Sequence, residues 1–183
     1  MKIKTTQLIS GLVLLFSAIA LISSLYLSFL HYFPHSGFIT CTFSEKINCD
    51  IVTNSIYSEI LGVPLAVLGA LTYLCIFILA LRLRKNNVNL DVACPALFLT
   101  SLFLILMTAY LIFVSSVLIG AYCIFCIVTY VTNLGIAGSV LLHRHQHPEH
   151  YRSLFKPLSD PFILNLLGFF LGIVVLYLLV LFF

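Results

Sequence analysis

The segment Ala121–Leu142, AYCIFCIVTYVTNLGIAGSVLL, contains no Asp, Glu, Lys or Arg. It matches the ~20 residues that a helix needs to cross ~30 Å of hydrocarbon. Its apolar residues do not alternate with period two, so it reads as a helix and not as a barrel strand. Those are the two structures that satisfy their backbone in lipid. Four further runs share this character: about Gln7 to Phe33, Gly62 to Leu81, Pro95 to Ile119 and Phe162 to Phe183. Composition agrees. Hydrophobic residues make up 62% of the 183 and charged residues 8%, where a soluble domain has about half and about a quarter. So little charge cannot cover a water-facing surface. An ordinary soluble enzyme, a disordered tail and a nucleic-acid binder are excluded.

The expected fold is therefore all-α and integral to the membrane, a four-helix transmembrane bundle plus a fifth transmembrane helix embedded in lipid. Residues 1–142 form the four-helix core, with an outer loop over 34–61. Residues 143–161 form a cytoplasmic linker, and 162–183 the fifth helix. The start, Met1-Lys-Ile-Lys followed by an apolar run, imitates a signal peptide. Its apolar core runs well past the ~7–15 residues of such a leader, which favours an uncleaved first helix.

Basic residues orient the bundle. With the N-terminus cytoplasmic, Lys2, Lys4, Arg82, Arg84, Lys85, Arg144, Arg152 and Lys156 all lie inside, and of the nine basic residues only Lys46 lies outside. The loop from Pro34 to Leu61 and the turn at Gly120 then face the exterior, which is the periplasm in a bacterium. The spans carry almost no ionisable residues, which argues against an ion carrier or proton pump.

This topology sorts the six cysteines. Cys41 and Cys49 fall in the outer loop, and Cys123 and Cys126 at the outer end of the fourth span. Cys75 is a small apolar filler within a span, and Cys94 a free thiol near the reducing side. Cys123-Ile-Phe-Cys126 places two thiols on one helix face. Cys123 is expected in the first turn, where the partial positive charge of the helix end favours a thiolate. Cys126 lies ~4.5 Å deeper, at 1.5 Å per residue. One thiol near water and one at lipid depth suit electron transfer to an apolar carrier. Structural zinc is the competing use of C-x-x-C, with Cys41 and Cys49 as further thiolates. Cys41 and Cys49 have seven residues between them. They form either a plain staple, removing ~2–3 kcal/mol of unfolded-chain entropy, or a flexible pair able to exchange with the other two cysteines.

Read together, these features resemble the vitamin K epoxide reductase family in its bacterial disulfide-forming branch. They are Cys41-x7-Cys49-Asp50, Ser55 six residues after Cys49, Gly62-Val-Pro-Leu, Gly69-x3-Tyr73 and Tyr122-Cys123-Ile-Phe-Cys126-Ile-Val-Thr-Tyr130. The resemblance covers roughly Ser10 to Leu142. It implies that Cys126 reduces a membrane quinone, ubiquinone or menaquinone, with Cys123 as its disulfide partner. Cys41 and Cys49 become the shuttle pair that exchanges with a soluble thioredoxin-fold protein. Ser55 becomes the loop serine near the quinone-reducing pair, and Tyr130 an aromatic residue lining the quinone pocket. Vertebrate members carry an asparagine in the second span. The matching position here is Leu65, which favours plain quinone reduction over epoxide chemistry.

Many bacterial relatives fuse a thioredoxin-like domain after the fifth helix. Here the sequence ends at Phe183, so the expected partner is a DsbA-like protein acting in trans. The net activity is oxidation of secreted proteins at a bacterial inner membrane. The DsbB family performs similar chemistry with the order of its two cysteine pairs reversed. The other alternative is a non-enzymatic membrane protein whose cysteines only staple the outer loop.

Several residues are weighed beside these. Ile51, Val52, Ile56, Ile60 and Leu61 fit a short interfacial helix over the bundle mouth, which would carry Ser55 towards Cys126. Pro64 fits the first turn of the second span. Among the outer histidines, His31 and His35, a proton-transfer role falls to His35. His143, His145, His147 and His150 read as solvated residues of a charged cytoplasmic loop, and no metal is expected there.

Overall fold

Helices that are apolar on every side need lipid around them, and the computed structural model contains four such helices. It describes residues 2–33, 41, 43–44, 46–60, 62–85, 89–151 and 168. Helix α1 spans Lys2–Tyr32, α3 Leu65–Arg84, α4 Leu90–Phe113 and α5 Ile124–Gln146. A π-helical stretch, Val114–Ile119, prolongs α4. All four are long and apolar enough to cross a membrane. The expected fifth span falls outside the described residues, except for Gly168.

Small side chains let the helices approach closely. Ala20, Ala80, Ala93 and Ala96 are wholly buried where α1, α3 and α4 meet. Lipid offers no hydrophobic drive between helices, so this close packing carries much of their association. Gly135 of α5 faces Phe16 of α1, and a Cβ there would lie 2.7 Å from the ring. Ile76, Leu79 and Ile136 fill the centre. Leu8, Ile22, Leu106 and Leu134 point outward and are exposed, as a lipid-facing surface requires.

Several boundaries differ from expectation. The second span runs from Leu65 to Arg84, not Gly62 to Leu81, so Pro64 is its N-cap and not part of its first turn. The third span begins at Leu90, not near Pro95. The amides of Val92 and Ala93 donate to the Asn89 carbonyl and start the helix there, so Pro95 lies inside α4. The fourth span begins at Ile124, not Ala121, and runs on to Gln146. Gly120 turns the chain at φ +71°, and Tyr122 then pairs with the outer loop as a β-bridge to Ile47. The interfacial segment is not one helix. Helix α2 is a single turn, Cys49–Thr53. It is followed by a 3₁₀ turn, Ile56–Ser58, and a small hairpin of β1 (Glu59–Ile60) and β2 (Val63–Pro64) around Gly62 at φ +78°. Serine chemistry explains the break: the Ser58 hydroxyl donates to the carbonyls of Thr53 and Ser55 at 2.6 and 2.7 Å, competing with continued helix.

A buried polar chain ties three helices together. The Tyr73 hydroxyl of α3 donates to Asn133 Oδ1 of α5 at 2.9 Å, and Asn133 Nδ2 donates to Thr108 Oγ1 of α4 at 2.9 Å. Asn133→Ala strands both partners in an apolar interior, at a cost of ~1–3 kcal/mol. Thermal unfolding in detergent should show a lowered midpoint for this variant, and a smaller drop for Tyr73→Phe.

Candidate functional site

The loop reaches the bundle through a short parallel register. The Tyr122 amide donates to the Lys46 carbonyl at 2.8 Å, and the Asn48 amide donates to the Tyr122 carbonyl at 3.0 Å. Asn48 then caps α2, its side chain accepting from the Ile51 amide at 3.1 Å. The result places Cys49 at the start of one helix and Cys123 immediately before another, side by side. The two sulfurs are 2.9 Å apart. Cys49 is also joined to Cys41 in a disulfide with a Cα–Cα distance of 5.5 Å. All three sulfurs lie within 4.8 Å of one another and are buried. Cys123 and Cys126 are both free thiols.

Cys123 is therefore the N-cap of α5, not a member of its first turn. This position still favours the thiolate. A hydrogen bond from the Cys126 thiol holds the Cys123 thiol below its ordinary range, helped by the backbone N–H groups of Cys126 and Phe125. Burial and the nearby Asp50 carboxylate oppose the shift without reversing it.

Cys126 opens onto a cavity of about 780 Å³, counted with its mouth. Ligand sites are mostly apolar with a few convergent polar groups, and this lining has that character. Leu27, Leu65, Leu111 and Ile119 give it apolar walls, and Tyr73 and Tyr130 add aromatic ones. The π-helical stretch contributes Val114 and Ser115; extra backbone of this kind often occurs at functional sites. A flat apolar ring with polar carbonyls matches such a lining. The residues that would hold it are Tyr130, Ser55 and the walls of α3 and α4.

Of the expected site residues, Cys41, Cys49 and Cys123 converge as one sulfur cluster, and Cys126, Ser55 and Tyr130 line one cavity. Ser55 precedes the 3₁₀ turn, but its hydroxyl donates back to the Val52 carbonyl at 2.9 Å and does not cap that turn. Leu65, where vertebrate relatives carry an asparagine, lines the cavity and offers no amide. His35 lies outside the described residues. Among the described residues, the histidine at the cavity is His31. Its Nδ1 is 2.9 Å from the Thr53 carbonyl, and its Nε2 is 3.1 Å from Glu59 Oε1. A carbonyl only accepts, so the Nδ1 carries hydrogen. The signal in the sequence is the place of His31 in the last turn of a long apolar helix, where an imidazole needs partners.

The sequence model of the Vitamin K epoxide reductase family matches residues 11–141, well over half of the chain and inclusive of both cysteine pairs. A search of curated proteins gives no match.

The hydrogen bond to Cys123 has a measurable consequence. In proteins lacking Cys75 and Cys94 and with the Cys41–Cys49 disulfide intact, Cys126→Ser and Cys126→Ala each leave one titrating thiol. The serine keeps a donor, so ultraviolet thiolate absorbance should place the Cys123 midpoint at lower pH in Cys126→Ser than in Cys126→Ala. Equal midpoints would remove the proposed donor from the account.

Proposed function

The chain belongs to the vitamin K epoxide reductase family and is a membrane oxidoreductase of thiol–quinone chemistry; from that premise we propose that it reoxidises a DsbA-like thioredoxin-fold protein and passes the electrons to membrane ubiquinone or menaquinone. The carrying observation is the 2.9 Å contact of Cys49 with Cys123, beside a cavity onto which Cys126 opens. The placement of eight of nine basic residues on one side supports a cytoplasmic N-terminus and cysteines facing the periplasm.

The relay begins with a partner thiolate attacking Cys41, the loop cysteine farther along the exchange path. The Cys41–Cys49 bond breaks and Cys49 leaves as a thiolate. It already sits inside the ~3–3.5 Å separation of a near-attack arrangement with Cys123. When Cys123 and Cys126 are disulfide-bonded, Cys49 attacks Cys123 and Cys126 leaves as the thiolate. The partner's second thiol attacks the partner sulfur of the mixed disulfide, so the partner departs oxidised and Cys41 is freed as a thiolate; Cys41 then attacks Cys49, restoring the Cys41–Cys49 disulfide and freeing Cys123. The resulting state, with the loop oxidised and Cys123 and Cys126 as thiols, is the one described above. A quinone, when bound, would supply the acceptor for two electrons and two protons. Cys126 lies on the cavity wall, where it would hand over the electron pair as the Cys123–Cys126 bond re-forms. His31 links the cavity lining to the half-exposed Glu59 carboxylate and is placed to relay a proton between them. Leu65 leaves the pocket without the amide of vertebrate relatives, which supports quinone reduction over epoxide reduction.

Purified protein should reduce quinone analogues when supplied with a reduced DsbA-like substrate. Assayed side by side, ubiquinone and menaquinone analogues identify the preferred acceptor. Cys126→Ala should lower the rate by at least ~10²-fold, the scale of losing an activated nucleophile. No loss would remove Cys126 from the relay. Trapping tests the order of the loop. In Cys49→Ser the mixed disulfide with the partner should accumulate on Cys41, whereas Cys41→Ser should trap little. A trap of equal yield on Cys49 would reverse the assignment.

A further inference from the structure

The opposite end of α5 gathers a second set of metal-ligating side chains. The helix is 23 residues long, about 34 Å at 1.5 Å per residue, so this cluster is remote from the sulfurs. Histidines that follow a span are usually solvated, but His143 and His147 are only 4% and 5% exposed. Their burial follows from the fold of the chain after Gln146. The His147 amide donates to the His143 carbonyl at 2.9 Å and ends the helix. A 3₁₀ turn over Pro148–Tyr151 then folds back, bringing the rings of His147 and His150 to 6.0 Å between centroids.

Potential ligand atoms of His147, Glu149 and His150 lie within 4.8 Å of one another. His147 Nδ1 and Glu149 Oε1 are 3.4 Å apart. This is long for an N–H···O hydrogen bond, whose ordinary range is ~2.7–3.2 Å. It equals the edge between two ligands of a tetrahedral zinc ion, since bonds of ~2.0–2.1 Å set ligands ~3.3–3.4 Å apart. His150 brings its own support: Asp91 Oδ1 lies 2.7 Å from His150 Nδ1. A carboxylate on one ring nitrogen fixes the tautomer and leaves the other nitrogen for a metal. His143 is otherwise engaged, with Nδ1 3.0 Å from the Tyr151 hydroxyl and Nε2 3.5 Å from Thr6 Oγ1.

We propose that His147, Glu149 and His150 bind a divalent transition ion of the zinc class, with Asp91 orienting His150 from behind. Two imidazoles and one carboxylate select such an ion over calcium or magnesium, which prefer all-oxygen sites. Because Asp91 lies in the first turn of α4, the bound ion clamps the beginning of α4 to the end of α5. The site uses no cysteine and stands independently of the quinone relay.

The test is zinc binding by the purified full-length protein in detergent, with Cys41–Cys49 and Cys123–Cys126 oxidised. Chelator competition should find one zinc per chain. X-ray absorption of that zinc should show only nitrogen and oxygen neighbours, including imidazole. His147→Ala combined with His150→Ala should weaken binding more than 100-fold. Asp91→Asn should weaken it about 10–100-fold, as loss of an orienting partner does, and His145→Ala should leave it unchanged. Sulfur in the zinc coordination sphere, no zinc bound at micromolar concentration, or equal affinity in the double variant would overturn the proposal. The absorption spectrum of the unmodified protein reads the ligands even if a variant fails to fold.

Discussion

The bridge between Ile47 and Tyr122 is the constraint on which the site depends. Two backbone hydrogen bonds lock the outer loop to the segment that enters α5. Without that register the loop cysteines and the helix cysteines would belong to separate elements. With it, Cys49 and Cys123 face each other as neighbours. The bridge also explains why α5 starts at Ile124 and why Cys123 is left at its N-cap. A residue in that position has its sulfur among amide N–H groups that have no partner inside the helix. Local pairing, helix initiation and thiol chemistry are therefore one arrangement.

The interior shows the same economy of polar groups. Each buried hydroxyl or amide is costly in an apolar medium unless it is paired. Tyr73, Asn133 and Thr108 answer this by bonding to one another across three helices. The serines and threonines of the spans answer it by donating to carbonyls three or four residues earlier, as Thr72 and Thr100 do. The cavity walls are thus held by satisfied groups. His31, Ser55 and Thr53 add polar groups to a mostly apolar lining. An amphiphilic carrier requires both.

Much of this was legible in the sequence, for physical reasons that can be named. Long uncharged runs have one stable solution in lipid, so the four described helices followed from hydropathy alone. The spacing of Cys41, Cys49, Cys123 and Cys126, set against the distribution of lysine and arginine, brought the sulfurs to one end. Other features needed three dimensions. The apolar run of the third span starts near Pro95, yet Asn89 begins α4 earlier. The apolar pattern after Cys49 suited a helix, but the hydroxyls of Ser55 and Ser58 draw the backbone into turns. His31 and His35 are equivalent as letters; only packing shows that His31 borders the cavity. His147 and His150 looked solvated because they follow a span, and only the fold-back of Pro148–Tyr151 buries and gathers them.

The central claim is that two dithiols share one path to one acceptor. Its most direct measurement is a single turnover: fully reduced protein, free of any partner, mixed with excess quinone while quinol is counted. Two connected dithiols hold four electrons, so the account predicts two quinols per chain, ending with both Cys41–Cys49 and Cys123–Cys126 as disulfides. One quinol per chain, with Cys41 and Cys49 still reduced, would show that the loop pair is not wired to the helix pair and would contradict the account.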